Sequence, residues 1–135
     1  MKNLILTLLI LCSTHIYAQD LKLKMPTPTE DCKTFNWKNG EDVYVEVEFK
    51  YLISEENKLS DDAFRTSLIQ TLTNAKYRCK NKLSFVPKRV TMMYSKDRSK
   101  YNVVIKFWAS NSYGVKDELT AYYTIDKEGN VIDEF

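Results

Sequence analysis

Between residues 60 and 79 the apolar positions fall at helical spacing. Phe64, Leu68, Leu72, Ala75 and Cys79 recur every three or four residues and so share one stripe. The stretch carries its own start signal. Ser60 is placed to accept a first-turn backbone N–H, and Asp61 and Asp62 follow where the positive end of the helix dipole favours carboxylates. Leu59 stands where it can pack on Phe64 across the cap. Lys76, Arg78, Lys80 and Lys82 gather at the other end, where cations suit the dipole. This pattern predicts a helix from Ser60 to Cys79.

Elsewhere the period is two. Val43, Val45, Val47, Phe49, Tyr51 and Ile53 alternate with Tyr44, Glu46, Glu48, Lys50 and Leu52, which predicts a half-buried strand and suits an antiparallel sheet. Phe85 to Tyr94 reads as a second strand, with Val90, Met92 and Tyr94 on one face. Pro87 belongs at its start, because proline has no N–H to give a ladder. Tyr101, Val103, Ile105, Phe107 and Ala109 mark a third strand, and Leu119, Ala121, Tyr123 and Ile125 the core face of a fourth. Asp126 to Asn130 is a hairpin turn in which Gly129 supplies a positive φ, and Val131 to Phe135 returns as a short last strand. Residues 19–41 contain Pro26, Pro28, Asn36, Asn39 and Gly40 and hold no sustained period. They are expected as an irregular N-terminal arm, with Phe35 and Trp37 closing one end of the core.

The expected fold is therefore α+β, a single domain over residues 42–135 in which one helix packs on an antiparallel sheet of four or five strands. Its order is strand, helix, then four strands. This order resembles the cystatin-type arrangement, in which a curved sheet wraps one helix. The Gln-x-Val-x-Gly loop of protease-inhibiting cystatins is absent, so the resemblance implies fold order and no inhibitory residues.

The first residues change the inventory of the rest. Met1-Lys2-Asn3 precedes an apolar run from Leu4 to Leu11, followed by small and polar residues to Ala18. That is the pattern of a secretory signal peptide over residues 1–18, with cleavage after Ala18 and a periplasmic or secreted product. The run is too short to span a bilayer, so no stable membrane insertion is expected. A lipid-anchored reading through Cys12 fits poorly, since Leu11 sits where a small residue is expected. Cleavage removes Lys2, Cys12 and His15, the one histidine. Basic and acidic residues are then within one of each other, too even a balance to steer nucleic acid, and none is expected as a partner. Cys32 and Cys79 remain, read as a disulfide in an exported chain and worth about 4 kcal/mol in the chain-entropy model.

Without histidine the usual general base for a serine or cysteine nucleophile is missing, and so are imidazole metal ligands. Gly40, Gly114 and Gly129 are too far apart to form a phosphate-cradling loop. No catalytic residue, metal or cofactor is expected. Glu46 and Glu48 share a strand face about 7 Å apart, a spacing open to a glycan-active enzyme. A solvated, cross-strand-paired face accounts for them more simply, since Lys50 follows on the same face and Lys106 occupies the polar face of another strand.

The alternation places Tyr44, Leu52, Met93, Val104, Trp108 and Tyr122 on the face turned away from the helix. Tyr44, Met93, Val104, Trp108 and Tyr122 are the candidate binding residues, as aromatic and methionine side chains are favoured at interaction surfaces. The function expected is an exported, non-catalytic domain that binds a protein partner, for example as an immunity or inhibitor protein, with homodimer formation as another use of the same face. The alternatives are a small-ligand-binding cystatin-like or NTF2-like domain with a cavity at Tyr51, Phe107 and Tyr123, and the carboxylate enzyme.

Overall fold

The computed structural model describes residues 34–135. The expected signal peptide, its cleavage after Ala18, Cys32 and residues 19–33 of the expected arm lie outside the described residues. The chain forms β1 (Thr34–Lys38), β2 (Tyr44–Leu52), α1 (Asp61–Arg78), β3 (Val86–Ser95), β4 (Lys100–Ser110), β5 (Lys116–Ile125) and β6 (Val131–Glu134). The strands make one six-stranded sheet in sequence order, and α1 packs on one of its faces. Neighbouring strands are antiparallel except β2 and β3, which run parallel.

The helix forms where its pattern predicts. Ser60 Oγ accepts from the backbone N–H of Ala63 at 3.2 Å, and all five stripe residues are buried. Ser67 and Thr71 are buried on the same side, although an apolar stripe does not include them. Each donates its hydroxyl to a carbonyl of the helix itself, Phe64 O and Ser67 O, at 2.7 Å, so neither needs a partner in the core. Facing them are Val47, Phe49, Val90, Met92, Val103, Ile105, Ala121, Tyr123 and Ile125. Phe64 anchors the contact, its ring edge-on to Phe49 and Tyr51 with centroids 5.4 and 5.8 Å away.

The α+β class agrees with the sequence expectation, but strand number and order do not. The sheet has six strands and is mixed, where four or five antiparallel strands were expected. Two physical reasons account for the difference. First, α1 carries the chain back along the sheet to the end where β2 began, so a neighbouring β3 must run parallel to β2. The cystatin-like order therefore does not describe this sheet. Second, residues 34–38, expected within the irregular arm, are β1. That strand is only five residues long and is joined to β2 by a tight turn, too short to establish a period. Phe35 from it is buried against Phe49, with ring centroids 6.0 Å apart.

Side-chain hydrogen bonds and two glycines fix the connections. Tyr51 Oη accepts from Leu59 N–H at 3.2 Å, and Tyr101 Oη donates to Asn57 O at 2.9 Å, so two tyrosines hold the β2–α1 crossover. In the β5–β6 turn Gly129 has φ +86°, and a Cβ there would stand 2.0 Å from Ala63 O. Only glycine lets the turn lie this close to the first turn of α1, and at mid-helix Gln70 Oε1 accepts from Val131 N–H at 2.9 Å. Gly40 serves the β1–β2 turn in the same way. Its N–H donates to Phe85 O at 2.7 Å, and a Cβ would meet Lys82 O at 2.2 Å. Pro87 sits second in β3, beside a register shift between Pro87 and Arg89. Cys79, which caps the helix, is buried with its Sγ 3.2 Å from Ala75 O and has no disulfide partner among the described residues, Cys32 lying outside them. Burial pushes its pKa up, favouring the protonated form.

Two stability predictions follow from the contacts of α1. Phe64→Ala should destabilise the fold by about 3–5 kcal/mol, as for other buried phenylalanines. Gly129→Ala should cost more than about 1 kcal/mol, since it meets both a positive φ and helix backbone. Urea denaturation of each variant checks both values, and a near-neutral Gly129→Ala would show that the turn does not seat on the helix.

Candidate functional site

The face of the sheet opposite α1 is built by the even-numbered residues of β2 from Glu46 onward, those of β4 and β5, and the odd-numbered residues of β3. Pairing register shows which of the expected side chains meet. Val104 on β4 stands directly opposite Tyr122 on β5. Met93 on β3 is opposite Asn102, and Val104 is the next residue along on that face of β4. Leu52 on β2 is opposite Met93. These four make one diagonal stripe across four strands: Leu52, Met93, Val104, Tyr122. Leu52 is 62% exposed and Tyr122 48%, whereas Met93 and Val104 are half-buried between their neighbours.

Trp108 lies on the same face but stands apart from the stripe. It is two residues beyond Lys106, whose ammonium is 3.9 Å from Glu118 Oε1, and Glu118 is the strand partner of Trp108. The ammonium of Lys116 sits 5.8 Å from the Trp108 ring centroid. Tyr44 does not join the stripe. It pairs with Lys38 at the end of the β1–β2 hairpin, where Lys38 Nζ is 5.5 Å from its ring, and it lines a groove against α1. Trp37 lines the same groove on the helix side and so does not cover the open face.

A charged row crosses the sheet beside the stripe. Arg89 donates through Nε and Nη2 to Glu48 Oε2, each at 2.6 Å, and Lys50 Nζ is 3.7 Å from Glu48 Oε1. The hydrogen bond from Arg89 holds the Glu48 carboxyl below its ordinary pKa, against a smaller opposing effect of burial. This geometry pairs Glu48 with Arg89 across strands and with Lys50 along its own strand. Lys50 takes part as expected, while Arg89 is a partner that periodicity did not single out. Lys106 pairs with Glu118 and not with the β2 carboxylates.

Comparison with protein families, with curated proteins and with solved structures finds no match to this chain. The site therefore rests on its own geometry.

Among the described residues no cluster of three or more His, Cys, Asp and Glu side chains is arranged to hold a metal ion, and no helix is long and apolar enough to cross a membrane. Of the side chains expected to line a ligand cavity, Tyr51 packs edge-on to Phe64 and Tyr123 is buried in the core. Phe107 packs on Phe85 at 5.2 Å and reaches a shallow groove of about 210 Å³ beside Cys79, Leu119 and Phe135. Leu119, expected in the core, is 44% exposed because it lies beyond the cover of α1.

The Glu48–Arg89 pair sets a pH dependence. A carboxyl whose pKa is lower folded than unfolded contributes its stability above the unfolded value, and that contribution disappears as pH falls through the folded value. Thermal unfolding followed from pH 7 downward should therefore show the loss beginning near the ordinary 4.5 of Glu48 and continuing below it. Glu48→Gln should flatten that part of the profile. An unchanged acid limb in the variant would mean that the pair carries no net stability.

Proposed function

We propose that this protein is an exported, non-catalytic binding module that recognises a protein partner through the open face of its sheet. The observation that carries the reading is the continuous stripe Leu52–Met93–Val104–Tyr122, on a face that no helix covers among the described residues, bordered by the Glu48–Arg89 and Lys106–Glu118 pairs. A flat apolar strip with a charged border suits a macromolecule, which buries area, better than a small molecule, which needs concavity. The border supports orientation and exclusion of wrong partners more than affinity. Trp108, with Lys116 over its ring, stands at the rim of this surface. Export rests on the N-terminal pattern, and with it the Cys32–Cys79 disulfide, which the oxidising compartment would favour. An inhibitor or immunity protein acting on another exported protein is the concrete form this reading takes.

The test is affinity capture from envelope and secreted fractions of the source organism, with the full chain as bait. Tyr122→Ala and Leu52→Ala should each weaken the captured complex by about tenfold or more, the behaviour of central interface residues. They should leave the melting temperature nearly unchanged, as both side chains are exposed. Ile69→Ala, on the solvent side of α1 and 50% exposed, should have no effect on capture. A complex that survives all three substitutions would overturn the assignment of this face. Self-association by sedimentation, abolished by the same two substitutions, would assign the face to a second copy instead.

A further inference from the structure

Beside the β1–β2 hairpin the molecule has a second surface feature, independent of the open sheet face and on the helix side of the sheet. A groove of about 380 Å³ runs between the hairpin and the C-terminal half of α1. That volume lies within the range of about 300–1,000 Å³ common for small-molecule sites. Trp37 and Tyr44 line it from the hairpin, and Thr73 and Tyr77 from the helix. Tyr44 and Tyr77 are 44% and 63% exposed, one lining the groove from the hairpin and the other from the helix.

The charges at this groove are of one sign among its lining residues, Lys38 and Lys76, and none of the lining residues is acidic. Lys38 Nζ lies 5.5 Å from the Tyr44 ring centroid, and Lys82 Nζ 4.6 Å from that of Tyr77. The nearest carboxylate contact is Asp42 in the hairpin turn, 3.7 Å from Lys76 Nζ and 73% exposed. A pair that open to solvent exchanges readily for another anion. Aromatic walls with ammonium groups at the rim complement a flat apolar body carrying a negative charge.

We propose that this groove binds a small aromatic carboxylate, its ring between Trp37, Tyr44 and Tyr77 and its carboxylate on Lys38 and Lys76. The test uses 2-naphthoate as the probe and 2-naphthamide as its uncharged counterpart, titrated into the full chain by calorimetry and by amide chemical shifts. Naphthoate should bind with a Kd below about 1 mM and move the amides of residues 37, 44, 73, 76 and 77. Lys38→Met should weaken naphthoate by about fivefold or more and naphthamide by less than about twofold. Thr73→Trp should fill the groove and abolish binding of both. Should that variant fail to fold, Tyr77→Ala, which removes an exposed wall, should weaken both probes together. No binding at several millimolar, equal affinity for acid and amide, or shifts that map elsewhere on the molecule would each overturn the proposal.

Discussion

Among the described residues one α-helix has to serve as the whole second layer of a six-stranded sheet. A helix with its side chains is about 10–12 Å across, whereas six strands at about 4.8 Å spacing place the outer pair about 24 Å apart. α1 therefore covers the middle of one face and leaves both flanks open. The two grooves lie on these flanks, one against the β1–β2 hairpin and the other beside β5 and Phe135. The same shortage leaves Leu119 partly in water although it shares a face with fully buried Tyr123 and Ile125. The opposite face has no helix at all among the described residues, so its composition has to tolerate water.

Since so much depends on where α1 lies, it is held at both ends. At its N-terminal end Gly129 seats the β5–β6 turn, which Gln70 ties to mid-helix, and the hydroxyls of Tyr51 and Tyr101 hold the approach from β2. Burial raises the pKa of both tyrosines, so the two hydroxyls remain protonated far above neutral pH. At the C-terminal end the hairpin turn reaches over through Gly40 to Phe85, and Asp42 meets Lys76. The middle is fixed by packing, with Phe64 at its centre. The hairpin groove thus has walls set by backbone contacts, which makes it a formed cleft in the folded chain.

Periodicity made α1 legible almost to the residue, because cap, dipole charges and apolar stripe agreed. It also placed five of the six strands and the turn at Gly129. What it missed was long-range. β1 has five residues and no chance to show a period, and the parallel pairing of β2 with β3 is a property of the crossover, absent from either strand alone. Buried Ser67 and Thr71 read as polar but satisfy themselves against their own helix, a local bond that hydropathy does not register. The open face was legible as a face: alternation put Met93, Val104, Trp108 and Tyr122 on one side of the sheet. It did not give their neighbours, because register decides who meets whom. Register joined Leu52 to the stripe, set Trp108 beyond Lys106 and took Tyr44 away to the hairpin groove.

The edges of the sheet show how an exposed β surface stays unpaired. Both edge strands are short, five residues in β1 and four in β6. β6 pairs only with residues 123–125 of β5, so along residues 116–121 no strand among the described residues covers the outer edge of β5. That stretch carries Lys116, Asp117 and Glu118, three consecutive charged residues that oppose pairing with an arbitrary strand. On the open face the ion pairs act likewise. The Glu48–Arg89 and Lys106–Glu118 pairs break what would otherwise be one apolar sheet surface into a narrow diagonal and an isolated tryptophan. A strip of that width is small enough for a free monomer to expose, yet it is continuous from Leu52 to Tyr122. Charge placement thus divides the open face and leaves one apolar line across four strands.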